Sequence, residues 1–244
     1  MTTENLQEKD GLLVGMIDEA GTGGSTAQVS GYLARPQDGQ AYPGVLLIQE
    51  WWGIDGHVKD LTERMAREGY VVLAPDLYHG RVVHEPDEAQ KEMMALDMPR
   101  AVSEIGSALD YLLQSRDDVE PKRVGVVGFC MGGTLTWRTA EAQDGKVAAI
   151  APFYAVGYRP TPEDIRKVTA PALILWGTKD DSTPADGRAH IVDLLRTEGK
   201  TFEYREYDAG HAFMNPEHGA LVPDAAKEAW DELTAWFRRY VKEQ

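Results

Sequence analysis

The stretch Arg123-Val-Gly-Val-Val-Gly-Phe-Cys-Met-Gly-Gly133 decides how the rest of the chain is read. Val124 to Phe129 is the apolar, β-branched run that a buried strand needs, and a helical pattern follows at once from Gly132 to Gln143. Between them Gly128-Phe129-Cys130-Met131-Gly132 has the form G-x-nucleophile-x-G. A strand that turns so abruptly into a helix drives together the residues two before and two after the central one, so both must lack a side chain. Cys130 then stands at the strand's end beside free helix N–H groups, whose partial positive charge favours a thiolate, and the Met131 N–H is expected as an oxyanion donor. A buried structural thiol at a glycine-rich turn is the competing reading.

On either side of this stretch, strand-like runs alternate with helical ones. Val45–Gln49, Val71–Pro75, Ala148–Phe153, Ala172–Trp176 and Phe202–Tyr207 read as further strands. Val58–Glu68, Pro99–Gln114, Ala185–Thr197 and Asp224–Val241 read as helices, and the alternation predicts a mostly parallel central sheet with helices on both faces. Upstream, Leu12–Ile17 and Ala27–Ala34 flank the glycine-rich Gly21–Gly24, which predicts an antiparallel hairpin at one sheet edge. Arg81–Met98 is a long charged insertion, read as a lid or a short helix. In the last helix Trp230, Leu233, Trp236, Phe237 and Tyr240 recur at the spacing of a buried face.

A length of 244 residues with 43% apolar residues fits a single α/β domain over residues 11–244, preceded by a loose polar tail from Met1 to Asp10. Apolar runs such as Val45–Ile48 fall far short of the ~18 residues a membrane span requires, and no basic-then-apolar leader is present, so a cytoplasmic location is expected. With 25 Lys and Arg against 40 Asp and Glu, the net charge of -15 disfavours nucleic acid and anionic membranes as partners. A lone cysteine allows no internal disulfide, and His79, His84 and His190 lack companions at ligand spacing, so neither a metal nor a cofactor is expected. Monomer and homodimer stay equally open.

Gly177-Thr178-Lys179-Asp180 follows the strand Ala172–Trp176, and Gly210-His211 follows the strand Phe202–Tyr207. Cysteine, aspartate and histidine therefore each lie just past the carboxyl end of a parallel strand, the edge where such sheets gather their ligands. The order nucleophile, acid, base is that of the α/β-hydrolase fold, with His211 as the proton acceptor for Cys130 and Asp180 orienting it. Asp181 competes with Asp180 for that role.

With Gln49-Glu50-Trp51-Trp52-Gly53 and Ala74-Pro75-Asp76-Leu77-Tyr78, these segments make the chain resemble the dienelactone hydrolase (carboxymethylenebutenolidase) family from about Ala27 to Phe237. The resemblance implies hydrolysis of an ester or lactone through a thioester on Cys130. It implies that Glu50 pairs with the resting thiol and turns away when substrate arrives, and that the Trp51 N–H is the second oxyanion donor. It also implies a substrate contact from Arg81, and Tyr78, Trp52 and Phe213 are further candidate substrate-binding residues, with Trp51 and Trp52 read as pocket walls or core. The sequence departs from the family in one place: after His211 come Ala212, Phe213, Met214 and Asn215, where the family carries a second carboxylate-binding arginine. Losing half of such a clamp weakens carboxylate recognition by about 1.5–3 kcal/mol. The alternatives are a general carboxylesterase or acyltransferase on the same scaffold, and a ligand-binding protein without catalysis.

Overall fold

The computed structural model describes residues 6–20, 28–143 and 145–243. Nine strands form one sheet: β1 (Gln7–Lys9), β2 (Leu12–Ala20), β3 (Gln28–Pro36), β4 (Tyr42–Ile48), β5 (Val71–Pro75), β6 (Val119–Phe129), β7 (Val147–Phe153), β8 (Ala172–Gly177) and β9 (Phe202–Tyr207). Their order is β1-β2-β3-β5-β4-β6-β7-β8-β9. The pairs β1/β2, β2/β3 and β3/β5 are antiparallel, and every pairing from β5 across to β9 is parallel. This is the mostly parallel α/β-hydrolase sheet with its antiparallel part at one edge.

Alternation along the central strands sends side chains to two separate cores. Val45, Leu47, Val127 and Phe129 meet α1 (Gly56–Arg67) and α7 (Pro223–Phe237), whose Leu61, Met65, Leu233 and Phe237 are fully buried. Leu46, Ile48, Val124 and Val126 point the other way, into the core shared by α3 (Met98–Asp110), α4 (Met131–Ala142) and α6 (Ala185–Thr197). Each such buried side chain contributes about 1.5–3 kcal/mol, so the two cores together hold β6 in the middle of the molecule. Trp230, Trp236 and Tyr240 are buried on the α7 side, as the spacing predicts.

Several elements differ from the sequence reading. Gln7–Lys9 pairs with β2 as an edge strand instead of belonging to a loose tail; its three residues are exposed and polar, so no alternation marks it. Met1 to Asn5 and the Gly21–Gly24 turn lie outside the described residues. β6 begins five residues early, at Val119, because Pro121 and the charged Lys122 and Arg123 mask the start of the strand. The 81–98 insertion contains a helix, α2 (Pro86–Ala95), which anchors through Ala89 against Trp52 and Val83. A six-residue helix, α5 (Pro162–Lys167), is too short for periodicity to show, although Thr161 and Asp164 form a reciprocal capping box at its start. Among the described residues no helix is long and apolar enough to cross a membrane.

The β6–α4 turn is set by contacts that leave no room for side chains. A Cβ on Gly128 would lie 2.1 Å from the Gly132 carbonyl oxygen, and a Cβ on Gly132 would lie 2.4 Å and 2.5 Å from the carbonyls of Ile48 and Gln49. Those obstacles are backbone atoms at the end of the neighbouring strand and cannot rotate aside. Gly132→Ala is therefore expected to destabilise the fold by about 3 kcal/mol or more, measured by urea unfolding. Gly187→Ala in α6, where the new Cβ meets only Pro184 at 3.9 Å, is the control and is expected to be neutral or slightly stabilising.

Candidate active site

Three loops at the carboxyl end of the parallel strands build the site. Cys130, between β6 and α4, has φ 57° and ψ −116°, a backbone conformation that costs a non-glycine residue about 1–3 kcal/mol. The strain is maintained by its surroundings: the Cys130 N–H donates to the Phe153 carbonyl at 3.1 Å, and its own carbonyl accepts from Gly133 at 3.0 Å. Two more residues with positive φ, Tyr154 and Ala212, follow β7 and His211 respectively, so the backbone departs from its comfortable range at three points around one site.

His211 and Asp180 arrive from the ends of β9 and β8. Their loops are tied together by the N–H groups of Thr178 and Lys179, which donate to the carbonyls of Tyr207 (2.8 Å) and Ala209 (2.9 Å). Gly177 permits that crossing, since a Cβ there would sit 2.3 Å from the Ala209 oxygen. The outcome is a continuous chain of polar contacts: His211 Nε2 lies 3.1 Å from Cys130 Sγ, and His211 Nδ1 lies 2.8 Å from Asp180 Oδ2. Asp180 also accepts from the Ser182 N–H at 2.8 Å and the Thr183 hydroxyl at 3.1 Å. Burial alone would raise the Asp180 carboxyl; the bond and charge of His211, with Ser182 and Thr183, outweigh it and hold the group below its ordinary range. Asp180, not the exposed Asp181, is the residue that meets His211.

Cys130 itself is pushed the opposite way from the sequence expectation of a favoured thiolate. Burial raises the thiol well above its ordinary value and the Glu50 charge adds to this; the Met131 N–H at the start of α4 works against both and is outweighed. A thiol 7% exposed in a low-dielectric setting remains protonated at rest.

Glu50 follows β4 and is buried. Its Oε1 accepts from the Tyr154 hydroxyl at 3.1 Å and its Oε2 from Asn215 Nδ2 at 2.5 Å. These bonds, and not the pairing with the thiol implied by the resemblance, are the ones Glu50 makes, while the sulfur faces His211. Burial pushes the Glu50 carboxyl up to about 7; the Asn215 bond opposes this, the Asp55 charge adds to it, and Tyr154 and His211 oppose it. Tyr154 and Asn215 are the residues that sequence reading missed. Tyr154 directly follows β7 at the ligand-gathering edge, a position that could have flagged it. Asn215 stands in the segment read only for its lack of an arginine.

The expected substrate contacts fare differently. Tyr78 is buried with its hydroxyl 3.7 Å from Met131 Sδ, next to the elbow. Trp52 is buried and stacks on His218, with ring centroids 3.6 Å apart, and Trp51 packs edge-on against it at 5.2 Å. Phe213 is not a substrate wall: it is fully buried beneath Tyr154, with centroids 5.4 Å apart, because the chain after His211 turns back into the core. Arg81 is 65% exposed and its guanidinium is taken by Glu92 of α2 at 2.7 Å. With Tyr78 it lines a cavity of about 370 Å³ whose walls include neither Cys130 nor His211.

The sheet order and the place of Cys130 at the crest of the β6–α4 turn are those of the α/β-hydrolases. Within that class the chain belongs to the dienelactone hydrolase family, whose profile matches residues 29–241. It is 32% identical over 222 residues to "Protein usf" of Aquifex pyrophilus, covering 88% of this chain and 94% of that protein. It is 30% identical over 226 residues to a protein of Aquifex aeolicus provisionally named a carboxymethylenebutenolidase, covering 88% and 95% of the two. A crystal structure from Klebsiella pneumoniae, provisionally titled a dienelactone hydrolase, superposes with a TM-score of 0.83 at 27% identity over 94% of this chain and 99% of that one. The chain is accordingly a hydrolase of ester or lactone bonds.

The raised Glu50 carboxyl has a measurable consequence. The folded state keeps a proton that the unfolded chain loses above about 4.5, so this contribution to stability is full below 4.5 and is lost as pH rises through 7. Urea unfolding at pH 5 and pH 8 is expected to show the parent losing about 2–3 kcal/mol more than Glu50→Gln over that interval. Identical losses would mean that Glu50 is already ionised at pH 5.

Proposed function

We propose that hydrolysis runs through a thioester on Cys130, with His211 as the proton carrier and Asp180 as its orienting acid. The contact that carries this reading is the 3.1 Å approach of His211 Nε2 to Cys130 Sγ, backed by the 2.8 Å bond from Nδ1 to Asp180. As sulfur attacks the carbonyl carbon, its proton passes to Nε2, which compensates for a thiol that burial keeps neutral. The oxyanion is received by the backbone N–H groups of Met131 and Trp51. Collapse of the tetrahedral intermediate expels the alkoxide, which takes the proton from Nε2. Water then gives a proton to Nε2 and attacks the thioester; the acid leaves, and Cys130 recovers its proton. Ester plus water has become acid plus alcohol, joined in one molecule when the substrate is a lactone. Glu50 stands beside this path as a second charge that disfavours a free thiolate.

The substrate class we infer is a neutral ester or lactone, the general carboxylesterase reading. Arg81 is engaged by Glu92, and Ala212 to Asn215 supply no cation. The test is steady-state kinetics on one lactone with and without a carboxylate substituent. The neutral lactone is expected to be turned over at least as well as the acid, and a strong preference for the acid would refute that assignment. With the better substrate, Cys130→Ala is expected to lower kcat by about a thousandfold or more, and Asp180→Asn to lower it strongly while Asp181→Asn leaves it unchanged. Turnover retained by Cys130→Ala would end the thioester proposal.

A further inference from the structure

Beside the Glu50 cluster lies a second group of chemistry-bearing side chains that the hydrolytic reading does not use. Asp55, Glu217 and His218 each offer one ligand atom, and those atoms lie within 4.8 Å of one another. We propose that these three residues bind a divalent transition-metal ion of the zinc type.

Asp55 carries the argument furthest. It is 4% exposed, and its two oxygens have separate fates. Oδ1 caps α1 by accepting the Val58 N–H at 2.9 Å, whereas Oδ2 is buried without a hydrogen-bond partner. A buried carboxylate oxygen left in this state is costly unless a cation completes it. What Oδ2 faces is His218 Nε2 at 3.6 Å, too long for a hydrogen bond. Two ligands held about 2.0–2.2 Å from one tetrahedral zinc lie ~3.3–3.6 Å apart, so the separation suits a shared ion.

The other two donors are held in place independently. The His218 ring is stacked on Trp52 with only 8° between the planes, which fixes the direction of its nitrogens. The backbone N–H groups of Glu217 and His218 both donate to Asn215 Oδ1, at 2.9 Å and 3.3 Å, so the two side chains leave the loop together. Glu217 Oε1 occupies space over Gly56 that a side chain would fill, a Cβ there lying 2.2 Å from that oxygen. Among the described residues no lysine or arginine is ion-paired with either carboxylate. One imidazole and two carboxylates without sulfur suit zinc and its first-row neighbours, and three protein ligands leave a position for water.

The test is calorimetric titration of zinc chloride into the full chain after removal of metal with a chelator, in a Cys130→Ala background so that the thiol cannot join His211 in a competing site. One equivalent is expected to bind. Asp55→Asn keeps the oxygen that caps α1, and Glu217→Gln alters an exposed loop residue; each is expected to weaken binding by about tenfold or more while melting in chelator like the parent. No saturable binding in the Cys130→Ala background, or binding unchanged in both ligand variants, would overturn the proposal.

Discussion

The close approach of Gly132 to the carbonyls of Ile48 and Gln49 is the constraint from which the rest of the site follows. It brings the start of α4 against the end of β4, and Cys130 can bridge β6 to α4 there only with positive φ. The strained turn lifts the sulfur out of the line of the strand and toward the edge where β7, β8 and β9 end. From the same edge come Tyr154, Asp180 and His211. Both cores matter to this geometry because each grips one face of β6, so the strain is spread over a packed sheet.

Electrostatics around the sulfur oppose easy ionisation. Burial and the Glu50 carboxylate hold the thiol protonated, and the single backbone N–H aimed at it does not reverse this. A protonated sulfur is a poorer target for alkylation and oxidation than a thiolate, and His211 Nε2 lies 3.1 Å from it. Glu50 is itself held by Tyr154 and Asn215, and Asn215 also organises the loop that carries Glu217 and His218. One asparagine thus connects the surroundings of Cys130 to the cluster around Asp55.

Much of this was legible in the chain. The run Val124–Phe129 with its glycine-flanked cysteine announces β6, the turn and α4, and the chain order of Cys130, Asp180 and His211 places them at one edge of the sheet. What stayed hidden had physical causes. Gln7–Lys9 carries no buried side chain, so it leaves no alternation to read. Tyr154 and Asn215 act through single hydrogen bonds to Glu50, and no spacing along the chain encodes contacts across 104 and 165 residues. Arg81 is an expectation of the resemblance and Phe213 a candidate pocket wall, but Arg81 turns toward Glu92 and Phe213 into the core. Asp55 meets His218 only because α1 begins beside the loop after β9.

The most direct test is intact-mass measurement of the protein quenched in acid during turnover of a slow ester, followed by peptide mapping. An acyl group on the peptide holding Cys130, removed by hydroxylamine, is the predicted result. Steady turnover by protein whose Cys130 has been fully alkylated would contradict the account.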